Sequence, residues 1–289
     1  MEKILASWWK RILIYLGLVA VFYFPIDYIC RIYQSYSDFF YYYYDNSVIT
    51  FIALIFASVI IERLRSGKYF FTFGLQFTKE TYKDIFLSFL LVFIPFIITS
   101  GLLYLFKLNI FTDFVLTEGF IYFTIIIFFF SANEELFFRG IVFQSLIDKF
   151  GITITIICTS LIFATVHIDN YSFSFMAFTN TFIAGIVLGV MYIQTKSLYL
   201  PIFYHFFWNF LQQFLLGSSI SGNSFGYSIF KINSDKLPVW LFGGNYGIEG
   251  GLIGTILLLM ALPLVLRYAK PSPYISSKLL KREISENIL

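Results

Sequence analysis

Charged side chains are scarce in this chain. Asp, Glu, Lys and Arg account for 13% of its 289 residues, against about 25% in a soluble domain. So few polar side chains cannot cover a surface that faces water on all sides, which excludes a soluble globular, a disordered or a fibrous protein. Cysteine is nearly absent. Cys30 and Cys158 fall in different apolar stretches, so no disulfide framework is implied. Net charge is only +3, and without a basic excess nothing argues for a nucleic-acid partner. Histidine occurs twice. What abounds is apolar: hydrophobic residues make up 58%, with 39 Phe and 21 Tyr, and the mean hydropathy is +0.79. Aromatics in such numbers suit lipid contact and the two membrane interfaces. The composition indicates an all-α, polytopic membrane helical bundle.

A transmembrane helix needs about 20 mostly apolar residues. The chain divides into eight such stretches, near Ile12–Cys30, Val48–Ile61, Ile85–Phe106, Phe120–Ile147, Ile152–Ile168, Phe173–Ile193, Leu198–Leu216 and Gly247–Leu266. The first reads as a start-transfer anchor, since its apolar run is long and no small-residue cleavage pattern follows. With no internal repeat or low-complexity linker, residues 1–289 read as one membrane domain. Lys and Arg then separate by side. Fifteen fall in the N-terminus, Arg63–Lys83, Lys149, Lys196 and Arg267–Arg282. Four fall opposite (Arg31, Lys107, Lys231 and Lys236), and Arg139 lies inside the fourth span. Positive charge collects on the cytoplasmic side, so both termini are expected there. Arg63–Asp84, where charge alternates with Phe and Tyr, is expected to lay a helix in the inner interface. Tyr41–Tyr44 and Gly217–Gly226 are expected in outer loops. Gly185 and Gly189 form a small-xxx-small pair that suits close helix packing.

Ionisable groups inside a bilayer are costly, so each is a candidate functional residue. Glu134, Glu135 and Arg139 lie in the fourth span, His167 in the fifth and His205 in the seventh. Residues four apart on a helix are neighbours, so Glu135 can pair with Arg139 while Glu134 points elsewhere without a partner on its own helix. A carboxylate set among apolar neighbours can serve as a general base near neutrality. Phe163 and His167 share one face, as do His205 and Asn209. If the fourth and fifth spans turn at Phe150–Gly151, Glu134 precedes the turn by 16 residues and His167 follows it by 16. At 1.5 Å per residue both then stand about 24 Å from it and can meet. The bland readings are a structural ion pair with a stray carboxylate, and interhelical polar contacts for the histidines and Asn209.

Three elements therefore stand in order: Glu134-Glu135-x-x-x-Arg139, Phe163-x-x-x-His167 and His205-x-x-x-Asn209. Together with Gly140 after the first and Ser197-Leu198-Tyr199-Leu200-Pro201 before the last, they resemble the motifs of the CPBP family of intramembrane proteases (CAAX proteases and bacteriocin-processing enzymes, also called the ABI family). The resemblance covers about Glu134–Asn209, with a protease-like core at about 85–216. It implies an eight-helix bundle with a water-accessible cavity in the membrane, opening on the cytoplasmic side, and an intramembrane endopeptidase. By resemblance Glu134 would activate the attacking water, with His167 orienting it. His205 and Asn209 would polarise the scissile carbonyl and hold the oxyanion. Glu135 and Arg139 would support them from behind, with Arg139 a lesser candidate for gripping a substrate carboxylate.

Glu134, His167 and His205 are also a conceivable ligand set for a divalent metal such as zinc, leaving one position for water. A site with Glu134 as ligand would lack an evident general base, which favours metal-free, glutamate-type chemistry. The substrate class is a peptide or membrane protein, either a prenylated C-terminal peptide or a bacteriocin-type leader. The location implied is the plasma membrane of a bacterium. Two other functions compete: a non-enzymatic membrane scaffold or bacteriocin-immunity protein built on the same bundle, and a proton-coupled transporter. The transporter lacks support from any inverted repeat or matched pair of broken helices.

Overall fold

The computed structural model describes residues 5, 7–33, 39–66, 74–112, 117–232 and 237–271. Apolar runs of this length can satisfy their backbone groups within a bilayer only as helices, and helices dominate. They are α1 (Trp8–Tyr33), α2 (Phe39–Ser66), α3 (Thr81–Leu105), α4 (Glu118–Arg139), α5 (Ile141–Thr165), α6 (Phe175–Thr195), α7 (Tyr199–Phe214) and α8 (Leu252–Tyr268). One two-stranded antiparallel ribbon, β1 (Asn109–Phe111) with β2 (Phe230–Ile232), sets Ile110 opposite Lys231. Between β2 and α8 lie one helical turn, Val239–Phe242, and two 3₁₀ turns.

Eight long helices match the eight stretches read from the sequence, but their boundaries differ. The fourth stretch breaks at Gly140, where a side chain would meet the Leu136 carbonyl, and the chain restarts as α5. A second break falls at Gly151, at the expected turn, with φ +76°. That left-handed conformation is open to glycine at little cost. Tyr41–Tyr44 belong to α2 and not to an outer loop. The eighth helix begins at Leu252, because Gly247 (φ +97°) and the flanking 3₁₀ turns cannot continue it. No single helix lies over Arg63–Asp84: Arg63–Ser66 close α2, Thr81 opens α3, and Leu75–Thr78 have no regular structure. Residues 67–73 of that expectation lie outside the described residues.

Among the described residues five segments are long and apolar enough to cross a membrane, one of them the 48-residue Glu118–Thr165 that carries both breaks. This is an integral membrane protein. α7 is not among the five. Its 16 residues reach only about 24 Å, and Asn209, Gln212 and Gln213 are buried in it. It can be this polar because α3, α4 and α6 pack around it and shield it from lipid. Two apolar cores flank it. One joins α3, α6, α7 and α8 around Phe96, Met191, Trp208 and Leu258, and the other joins α1, α2, α4 and α5 around Tyr15, Ile61, Leu136 and Phe143.

The two ends of the bundle differ in their charge. At one end Arg11 and Arg65 converge on Asp148, at 2.7 and 3.3 Å, Trp8 packs on Phe150, and the Leu198 amide donates to the Gly74 carbonyl. At the other end stand the β ribbon, the α5–α6 turn and the Leu215–Gly251 connection, where the Gly222 amide donates to the Tyr246 carbonyl. Among the described residues most Lys and Arg belong to the first end.

Candidate active site

The site forms where α4 and α7 cross in antiparallel directions. Each helix carries polar side chains four residues apart, so each presents a polar stripe on one face. Ser131, Glu135 and Arg139 form the stripe on α4, and His205 and Asn209 form the one on α7. The stripes meet in two rungs. His205 Nδ1 lies 3.0 Å from Glu135 Oε1, and Asn209 Nδ2 donates to Ser131 Oγ at 3.3 Å. Arg139 Nη1 donates to the same Glu135 oxygen at 2.9 Å, with both side chains fully buried. Its Nη2 donates to the Gly185 carbonyl at 3.0 Å. The expected Glu135–Arg139 pair is therefore present, and it also fixes His205. A carboxylate only accepts, so Nδ1 carries the proton and Nε2 turns to the cavity.

Glu134 points away from that stripe, as its 100° offset requires. Its Oε2 stands 3.8 Å from His205 Nε2, and its side chain is 37% exposed where Glu135 is 0%. His167 arrives from the other wall. It lies in the turn that follows α5 and not within the helix, since α5 ends at Thr165. Its Nδ1 lies 2.7 Å from the Phe163 carbonyl; the carbonyl can only accept, so Nδ1 carries a proton, and in the neutral ring Nε2 is the acceptor. The Phe163 ring, buried, packs on the His167 ring at 4.8 Å, faces that of His205 at 6.2 Å, and carries the Arg139 guanidinium 5.0 Å above it.

Glu134, His167, His205 and Asn209 all line one cavity of about 450 Å³. Glu134 and His167, which the register argument from the turn at Gly151 sets at one level, thus both line it. Arg139 does not line it, which removes the candidate for gripping a substrate carboxylate. Gly185 packs as the small-xxx-small pair suggests: a Cβ there would lie 2.7 Å from Ser160 Cβ. Sequence reasoning missed Ser131, although it stands four residues before Glu135 on the same stripe, and it missed the Glu135–His205 bond. It also missed Glu249 on the far wall. That carboxylate accepts from Trp208 Nε1 at 3.0 Å and from the Ser221 amide and hydroxyl at 2.8 and 2.7 Å. No periodicity links it to the motifs.

A catalytic zinc would need Glu134, His167 and His205 disposed around one point. Among the described residues no group of three or more His, Cys, Asp or Glu side chains is disposed to hold a metal ion.

Residues 116–211, which span α4 to α7, match the family described as type II CAAX prenyl endopeptidase Rce1-like. The match covers a third of the chain and falls on the segment whose three motifs resemble the CAAX proteases. No curated protein and no solved structure matches the chain.

Proposed function

We propose that this chain, built around a CAAX-protease core, is an intramembrane endopeptidase in which Glu134 activates water without a metal. The observation that carries this reading is the division of labour around one cavity. An incompletely buried carboxylate, Glu134, and an imidazole acceptor, His167 Nε2, face it from α4 and from the turn after α5. Donors held by buried partners, His205 and Asn209, face it from α7.

A water between Glu134 and His167 loses its proton to the Glu134 carboxylate as its oxygen attacks the scissile carbonyl carbon. The carbonyl oxygen becomes an oxyanion. Asn209 Nδ2–H and His205 Nε2–H donate to it, the imidazole carrying its second proton because a carboxylate faces each ring nitrogen. Glu134 then passes the proton to the departing amine as the C–N bond breaks. Glu135 and Arg139 do not touch substrate; they hold the His205 ring and its tautomer, as the buried acid does for other catalytic histidines. On the strength of the Lys and Arg distribution, the start of α1 and the end of α8 face the cytoplasm; the expected position of the termini falls outside the described residues.

The test is Glu134→Gln in purified protein reconstituted into lipid vesicles, assayed for peptide cleavage with and without prior chelator treatment. Cleavage should fall by about 10³-fold, within the usual range for losing a general base, while the protein inserts and melts as before. Chelation of the unsubstituted protein should leave turnover unchanged. A fully active Glu134→Gln protein would overturn the assignment, and zinc-restored activity after chelation would overturn the metal-free form of it.

A further inference from the structure

We propose that the cavity opens on the membrane face opposite the cytoplasm and admits an internal segment of an exported or membrane-anchored polypeptide, rather than a cytoplasmic C-terminal carboxylate. The substrate half rests on the protease reading above; the sidedness does not. The first argument is where the rim comes from. His167 and Asn170 belong to the α5–α6 turn, Ser221 and Asn223 to the connection after α7, and Glu249 to the turn before α8. All lie at the end of the bundle that holds the β ribbon. The floor is Ala184, Leu188 and Tyr204 in the middle of α6 and α7. Leu188 is 13 residues from the start of α6, so the cavity descends about 20 Å along it. No residue lining the cavity comes, among the described residues, from the Arg11–Arg65–Asp148 end.

The second argument is charge. Among the described residues the rim end carries Arg31, Lys107 and Lys231, and the closed end carries ten Lys and Arg, in Lys10–Arg11, Arg63–Arg65, Lys79–Lys83, Lys149, Lys196 and Arg267–Lys270. An excess of this size in short connections sets the closed end in the cytoplasm. The outward mouth reverses the cytoplasmic opening expected from the family resemblance. The third argument concerns the occupant. The lining contains two carboxylates, Glu134 and Glu249, and no Lys or Arg. Arg139, the nearest guanidinium, is fully buried and spent on Glu135 and the Gly185 carbonyl. A substrate whose terminal carboxylate sat near the scissile bond would be repelled with nothing to neutralise it. An extended segment with neutral or basic side chains meets no such penalty.

Two single-cysteine proteins test the side, each made after replacing Cys30 and Cys158 with Ser. Asn223→Cys reports the rim and Lys149→Cys the closed end; both positions are exposed. In intact cells a membrane-impermeant maleimide should label Asn223→Cys and leave Lys149→Cys unlabelled until the cells are permeabilised. Labelling of Lys149→Cys in intact cells, or protection of Asn223→Cys until permeabilisation, overturns the proposal. Neither result depends on catalysis. A pair of peptides with one apolar core tests the occupant, one ending in a free carboxylate beside the core and one amidated there. The amidated peptide should be cleaved about tenfold faster, the scale of a charge contact near a protein surface. Faster cleavage of the free acid overturns the substrate half. If neither peptide is cleaved while Asn223→Cys labels from outside, the sidedness stands and the protease reading falls.

Discussion

The two walls of the cavity are built to different standards. On the α4–α7 side, His205 and Asn209 are each held from behind by a side chain of α4, within a buried polar stripe. On the other side, Glu134 stands exposed by more than a third and His167 hangs from a turn by one bond to its own backbone. Donors that stabilise a developing charge work best when fixed in advance, because they then need no reorganisation during reaction. A base must reach a water whose position depends on the substrate, so slack there costs less. The contrast teaches that adjacent glutamates can share a motif yet differ in kind: Glu135 is buried and bonded to Arg139 and His205, and Glu134 faces the cavity, as the proposed division into framework and reagent requires.

Breaking the rigid wall should have the largest effect. Glu135→Gln removes the charge that two cationic or donating partners share, leaving Arg139 buried without its counter-ion. Loss of one partner in a buried pair costs about 3–5 kcal/mol. The expected outcome is a protein that melts well below the parent and has no measurable cleavage, in contrast to Glu134→Gln, which melts normally. Equal melting temperatures for the two variants would erase the distinction. Removing a donor without touching the ion pair should come next. Asn209→Ala should lower kcat by about 10²–10³-fold, the range for a lost oxyanion donor, with KM little changed; a rise in KM at constant kcat would make Asn209 a binding residue. The smallest effect sharpens the comparison. Ser131→Ala withdraws only the acceptor behind Asn209, a neutral bond worth about 1 kcal/mol, so kcat should drop a few-fold and a Ser131→Thr protein, which keeps the hydroxyl, should recover it. No difference between the two would mean that Asn209 needs no support.

The sequence was informative wherever a feature repeats along one helix. Glu135 and Arg139, Phe163 and His167, and His205 and Asn209 are all four apart, and all three pairs share a face as expected. The number of long helices followed from hydropathy alone. Facts that depend on how one helix registers against another were not legible. The Glu135–His205 and Ser131–Asn209 bonds need the α4–α7 register, which no single helix encodes. The break at Gly140 was hidden for another reason: Leu136–Phe138 before it and Ile141–Phe143 after it are apolar and only two residues apart, so the stretch reads as one span. His167 fell outside its helix because apolar Val166 and Ile168 extend the run past the last helical hydrogen bonds. Tyr41–Tyr44, polar enough to suggest a loop, extend α2 instead.

The equal spacing of the two polar stripes leaves a problem of alignment. Slide α7 by one turn, and Glu135 would face Asn209 while Ser131 faced Gln213, so both acceptors on α4 would still find a donor. Hydrogen bonding therefore supplies the chemistry without the address. The bulky, unevenly spaced rings alongside break the tie. Phe120 meets Phe214, Phe123 meets Phe210, and Phe128 meets both Phe203 and Phe206. They act like the wards of a lock, which do no turning themselves but let the key seat at one depth only.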